Sequence, residues 1–169
     1  MSILEIKTFP DPVLRVKGKQ VKNFDKEFQA LVDNMVETMR DAPGVGLAAT
    51  QVGESLQLAV VEFGDEADDS VLKKLYVIAN PEITKPSEET ITDVEACLSV
   101  PGLAGEVERH ESLVVKAQNR HGQPYKIIAK GWLARIFQHE IDHLNGVLYI
   151  DRAINLYQPT PEQMENIRD

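Results

Sequence analysis

The sequence predicts an α+β fold, with mixed or antiparallel β-sheets packed around a helix in the C-terminal half and an amphipathic helix near the N-terminus. Three observations carry this. Phe28, Leu31, Val32, Met35, Val36 and Met39 recur at helical spacing. Short apolar runs bounded by turn residues then follow one another up to Lys130. The helical period returns in GWLARIFQHEIDHLNG, from Gly131 to Gly146. Runs of strands flanked by an early and a late helix are the pattern of an α+β domain, with the late helix lying against the sheets.

Each element has a local reason. Asp25 or Asn23 can cap the first helix, and Asp41-Ala42-Pro43-Gly44 ends it because proline cannot continue the hydrogen-bond ladder. The glycine-bearing GVGLAATQVG (Gly44 to Gly53) comes next. Strands are expected over Leu56 to Phe63 and Lys74 to Pro81, separated by an acidic loop at Asp65 to Ser70. A further pair, SLVVKAQ and YKIIAK, is joined by the turn-rich Asn119 to Pro124. Asn145-Gly146 is a helix stop. The polar end, NLYQPTPEQMENIRD, reads as a short helix or a frayed tail. No repeat or linker divides the chain, so one domain over residues 1–169 is expected.

Of the 169 residues, 43% are hydrophobic and 27% charged, which suffices for an ordinary core without staples. The formal net charge of −9 opposes a broad phosphate-binding surface, so no DNA partner is expected. Cys97 is the single cysteine and excludes an intrachain disulfide, which suits a reducing compartment. The start lacks the apolar run of a signal peptide, and no stretch has the length to span a bilayer. A cytoplasmic protein with no membrane partner is the expectation.

The chemistry concentrates in His139-Glu140-Ile141-Asp142-His143, an HExxH pattern. On a helix, positions i and i+4 share a face, so both imidazoles can reach one metal while Glu140 handles a proton of bound water. The bland reading is a solvated helix face that carries these residues by chance. Against it, Ile136, Glu140, His143 and Val147 share a stripe, and burying such polar groups unpaired costs several kcal/mol.

A catalytic metal usually takes three protein ligands. A metzincin pattern would need a histidine where Tyr149 stands, and Glu162 or Glu165 would give a thermolysin-like set. Cys97, in EACLS, is the remaining candidate, since a thiolate suits a borderline-soft ion. A lone cysteine is more often a small buried hydrophobe, but an HExxH still lacking a ligand makes ligation the preferred reading.

Together, GVGLAATQ, EACLS and QHEIDHLNG, in this order and spacing, resemble the three motifs of bacterial-type peptide deformylases, and MSILEIKTFPDPVLR is similar to their start. The resemblance covers residue 1 to about Asp151. It implies one divalent metal bound by Cys97, His139 and His143, usually Fe(II), with zinc, nickel or cobalt as replacements. Glu140 corresponds to the catalytic glutamate, and Gln51 with the backbone N–H of Leu98 to the donors that steady a developing oxyanion. Two departures stand out. Ala96 replaces the usual glycine beside the ligand, and Ala104 stands where some members carry an arginine.

The activity so implied is removal of the N-formyl group from the terminal methionine of nascent chains, with formate released. Val45, Gly46 and Leu47 would form an extended edge for the substrate backbone, glycine allowing close approach. Val45, Trp132, Ile136 and His139 would line the methionine pocket, with Arg135 at its rim and its head in water. Asp142 reads as a carboxylate behind the ligands or on the helix surface, and Glu95 either pairs with Arg109 or is a surface charge. His110 and His121 read as ordinary strand and turn residues. A monomer is expected, and the acidic tail predicts weak or no ribosome docking. The competing classes are a zinc endopeptidase using the same HExxH, and a silent module with a structural metal.

Overall fold

The computed structural model describes residues 2–64 and 72–167, so the acidic loop expected at Asp65 to Ser70 lies outside the described residues. The first helix, α1, runs Lys26–Asp41, and the Asp25 carboxylate caps it by accepting from the Phe28 N–H at 3.0 Å. Its apolar stripe is buried at Phe28, Val32, Met35, Val36 and Met39, with Leu31 partly covered.

Five strands form one antiparallel sheet: β1 (Gly46–Ala48), β2 (Leu58–Phe63), β3 (Lys74–Thr84), β6 (Ser112–Gln118) and β7 (Pro124–Lys130). Their spatial order is β1-β2-β3-β6-β7, which leaves β1 at an edge. Successive side chains on a strand face opposite ways, and here both faces are covered. Leu58, Val60, Val77 and Ala79 pack against α1, while Ala59, Val61, Ile78, Leu113, Val115, Ile127 and Ala129 pack on the other side. That is why LAVVEF reads as a nearly continuous apolar run rather than an alternating one.

The second face is closed by α2 (Gly131–Leu144), which contributes Ala134, Ile136, Phe137, Ile141 and Leu144 to the core. The stop signal beyond it works through conformation and space. Gly146 has φ +76°, and a Cβ there would lie 2.6 Å from the Arg15 carbonyl oxygen. A short helix, α3 (Pro161–Glu165), lies near the end of the chain.

Apart from His110 as a strand residue, no expectation covered the hairpin formed by β4 (Thr90–Cys97) and β5 (Val100–His110). Its inward positions include charged Glu95 and Arg109, so the alternation of apolar and polar residues is broken. The hairpin closes over Leu14, Leu148 and Tyr149. Residues 153–157 cover the outer edge of β5, with Ala104 and Tyr157 exchanging backbone hydrogen bonds. The chain there is paired rather than frayed. Ala104 is fully buried under this segment, so the position offers no exposed side chain for a substrate.

Candidate metal centre

Two elements bring the donor atoms together. His139 and His143 stand one turn apart on α2, their rings in an edge-to-face arrangement with centroids 5.1 Å apart. Cys97 ends β4, immediately before the Leu98–Ser99 turn into β5. Ligand atoms of Cys97, His139 and His143 all lie within 4.8 Å of one another, and all three residues are buried. Cys97 Sγ is 3.3 Å from His143 Nε2. The alternatives for a third ligand are not assembled: Glu162 and Glu165 are exposed on α3, and Tyr149 stacks on the His139 ring at 6.0 Å.

Behind the histidines lies a buried charge network. His139 Nδ1 is 2.8 Å from Glu95 Oε1, which leaves Nε2 for the cluster. Arg109 grips both Glu95 oxygens at 2.9 Å and reaches Asp142 at 2.7 Å. Burial alone would raise the Glu95 carboxyl, but the hydrogen bonds with Arg109 and His139 outweigh it and hold it well below the ordinary range. Burial and the neighbouring His139 keep His143 well below the ordinary imidazole value, so it stays neutral with a lone pair to offer. A thiol and two imidazoles so placed form a donor set suited to a borderline-soft divalent ion with an open coordination position. Among the described residues, nothing accepts from or donates to His143 Nδ1.

Of the expectations for the surrounding charges, the Glu95–Arg109 pair and an Asp142 behind the histidines are found, while the rim position of Arg135 needs correction. Glu95 is 2% exposed and is no surface charge. Arg135 does not sit at a rim with its head in water. It is 5% exposed, donating to Glu95 at 2.6 Å, to the Val107 carbonyl at 2.9 Å and to the Ile91 carbonyl at 2.6 Å. Three acceptors replace the water its head would lose. Asp142 pairs with both Arg109 and Arg152. Strand alternation could not have found Glu95: it stands two residues before Cys97, but the register shifts between them and Glu95, Ala96 and Cys97 are all buried.

Gln51 is buried in a 3-10 turn (Ala49–Val52) directly after β1. Its Oε1 accepts from the Ala48 N–H at 3.0 Å, which turns the amide nitrogen toward Ser99 Oγ at 3.0 Å and Cys97 Sγ at 3.6 Å. Beside the cluster, Val45, Trp132, Arg135, Ile136, His139 and Glu140 line a small cavity, and Arg135 lies 5.5 Å from the Trp132 ring centroid. His110 is exposed, its Nδ1 2.8 Å from the Ser87 carbonyl, and His121 is exposed in the β6–β7 turn.

Comparison with known proteins agrees with this geometry. A family profile described as polypeptide deformylase matches residues 3–158. A peptide deformylase of Symbiobacterium thermophilum is 48% identical over 98% of this chain and 73% of its own length. The crystal structure of peptide deformylase from Ehrlichia chaffeensis superposes with a TM-score of 0.85 at 38% identity, covering 89% of this chain and 88% of that one. A class I type b peptide deformylase from Acinetobacter baumannii, crystallised with Met-Ala-Ser bound, gives a TM-score of 0.82 at 34% identity over 90% of this chain and 99% of that one. The motifs, the antiparallel sheets and the Cys-His-His cluster thus converge, and the chain belongs to the polypeptide deformylase family, metal-dependent hydrolases that remove the N-formyl group from new polypeptides.

Proposed function

We propose that Cys97, His139 and His143 hold the divalent cation with which this chain deformylates the N-terminal methionine of nascent polypeptides. The observation carrying the assignment is the convergence of these three donors within 4.8 Å in a buried site beside Glu140. On this reading α2 is the metal-binding helix, and residues 1–169 work as one catalytic domain.

When bound, such a cation supplies a Lewis acid at the formyl oxygen and lowers the pKa of water toward neutrality. Glu140 takes the proton of the attacking water and returns it to the methionine nitrogen as the C–N bond breaks. Formate and a free amine leave. As the formyl carbon becomes tetrahedral, charge develops on its oxygen, and the Gln51 amide and the Leu98 N–H serve as its donors. The Ala48 N–H supports this role by fixing the orientation of Gln51.

Substrate binding follows from the edge position of β1. Val45 and Gly46 present backbone to an added strand. Val45, Trp132 and Ile136 line a cavity of about 10 Å³, which opens to take the methionine side chain. The Met-Ala-Ser held by the Acinetobacter baumannii deformylase supports a short methionyl peptide as the ligand class here.

We assign Fe(II) as the native ion, with zinc, nickel or cobalt as replacements, because a thiolate with two imidazoles accommodates all of them. The protein then works as a cytoplasmic monomer, with weak or no ribosome docking. A zinc endopeptidase is disfavoured by family membership and by the exposure of Glu162 and Glu165.

The test is an assay of formyl-Met-Ala-Ser beside its acetylated and internally cleavable analogues, with metal analysis on protein purified without oxygen. Turnover of the formyl peptide alone, with one ion per chain, is expected. Cys97→Ala should lose the ion and the activity together while remaining folded, and full occupancy in that variant would remove Cys97 from the ligand set. Iron-loaded protein handled in air should lose activity as metal and thiolate oxidise, and nickel or cobalt should restore it.

A further inference from the structure

Gly46 lies in β1, opposite Val61 on β2, and is buried. Its φ lies outside the left-handed range, so the backbone there would accept any residue. Space is what forbids one. A Cβ on Gly46 would sit 2.6 Å from Glu140 Oε2 and 2.9 Å from both Cδ and Cγ of that side chain. Those are its three nearest atoms outside its own chain neighbours, and none of them is backbone. Glu140 is 3% exposed, so it has no route into water if displaced. The free volume beside it is the cavity it shares with Val45, Trp132 and Ile136.

We propose that Gly46 is a positioning residue for Glu140. The missing Cβ is the room that holds the carboxylate beside the Cys97–His139–His143 cluster, not a place reserved for close approach of the substrate backbone. The inference rests on the reading of Glu140 as the proton carrier. It predicts that a side chain as small as a methyl group at position 46 pushes Glu140 out of reach of the reacting atoms without touching any metal donor.

The experiment is a double-mutant cycle on the metal-loaded enzyme with Gly46→Ala, Glu140→Ala and the double variant. Gly46→Ala should lower kcat by about 10²-fold, the lower end of what proton transfer contributes. KM should move far less, and the ion should stay at one per chain. On the Glu140→Ala background, where the space is vacant, Gly46→Ala should change neither metal content nor the urea midpoint. If Gly46→Ala alone fails to fold, a folded double variant supports the contact. A wild-type kcat in Gly46→Ala would overturn the proposal. So would an equal loss of midpoint with and without Glu140, because the glycine would then serve the backbone or the substrate. Full turnover in Glu140→Ala would instead sink the proton-carrier role, and the midpoint coupling would still judge the contact itself.

Discussion

His139 Nδ1 lies 2.8 Å from Glu95, and the same carboxylate is held by Arg109 and Arg135, all within a buried hairpin–helix contact. One carboxylate thus orients the His139 ring, turning Nε2 toward Cys97 and His143, and shares with Asp142 the charge of two buried guanidinium groups. Glu95→Ala should lower stability by about 3–5 kcal/mol, because it strands buried positive charge. Metal affinity should fall roughly 10–100-fold as His139 loses its orienting partner. Urea melts and chelator competition read the two effects separately. Unchanged values in both would mean that Asp142 alone satisfies the network.

If Glu140 carries the proton and Gln51 is an oxyanion donor, as proposed, their variants should separate kinetically. Glu140→Gln should keep the metal and lose about 10²–10⁴-fold in kcat. Gln51→Ala should cost on the order of 3 kcal/mol in transition-state stabilisation with a modest change in KM. A loss confined to KM would reassign Gln51 to substrate positioning.

Acid should weaken a contact between the two ends of the chain's fold. Arg15 and Asp151 pair through two hydrogen bonds, at 2.5 and 3.0 Å, tying the N-terminal segment to the chain beyond α2. The hydrogen bond with Arg15 is the main reason that Asp151 is held below its ordinary value. A depressed carboxyl stabilises the fold above its unfolded value, about 3.9, and that contribution is lost as pH falls through the folded value. Asp151→Asn should therefore cost up to about 1 kcal/mol near neutrality, as for other half-exposed pairs. The gap to wild type should close in acid, read as urea midpoints across the pH range. A gap that persisted in acid would mean that the loss is not electrostatic.

The end of the chain should be dispensable past its paired segment. Residues 160–166 are all exposed, and the segment carries Glu162 and Glu165 against little positive charge. Truncation there should change neither peptide turnover nor ribosome affinity. A salt-sensitive, sub-micromolar ribosome complex abolished by the truncation would refute this. Cutting before Tyr157, by contrast, should uncover the β5 edge at Ala104 and reduce stability.

By itself the sequence determined the periodic elements and the chemistry carried in short spacing. The stripe from Phe28 to Met39, the runs that became β2, β3, β6 and β7, and the Asn145-Gly146 stop are local properties of the chain. So is the pair His139 and His143, because one helical turn separates them wherever that helix lies. Tertiary structure decided what depends on distant partners. Whether Glu95 met water or Arg109, whether Arg135 reached solvent or three acceptors, and whether Gly46 bordered substrate or Glu140 are contacts between elements far apart in the chain. A charged residue is legible as buried only once its partner is known, since burial without one costs too much. For the same reason β4 and β5 left little strand signal: among their inward positions Glu95 and Arg109 are satisfied by charges on α2 and on each other, which interrupts the apolar alternation around Val100 and Val107.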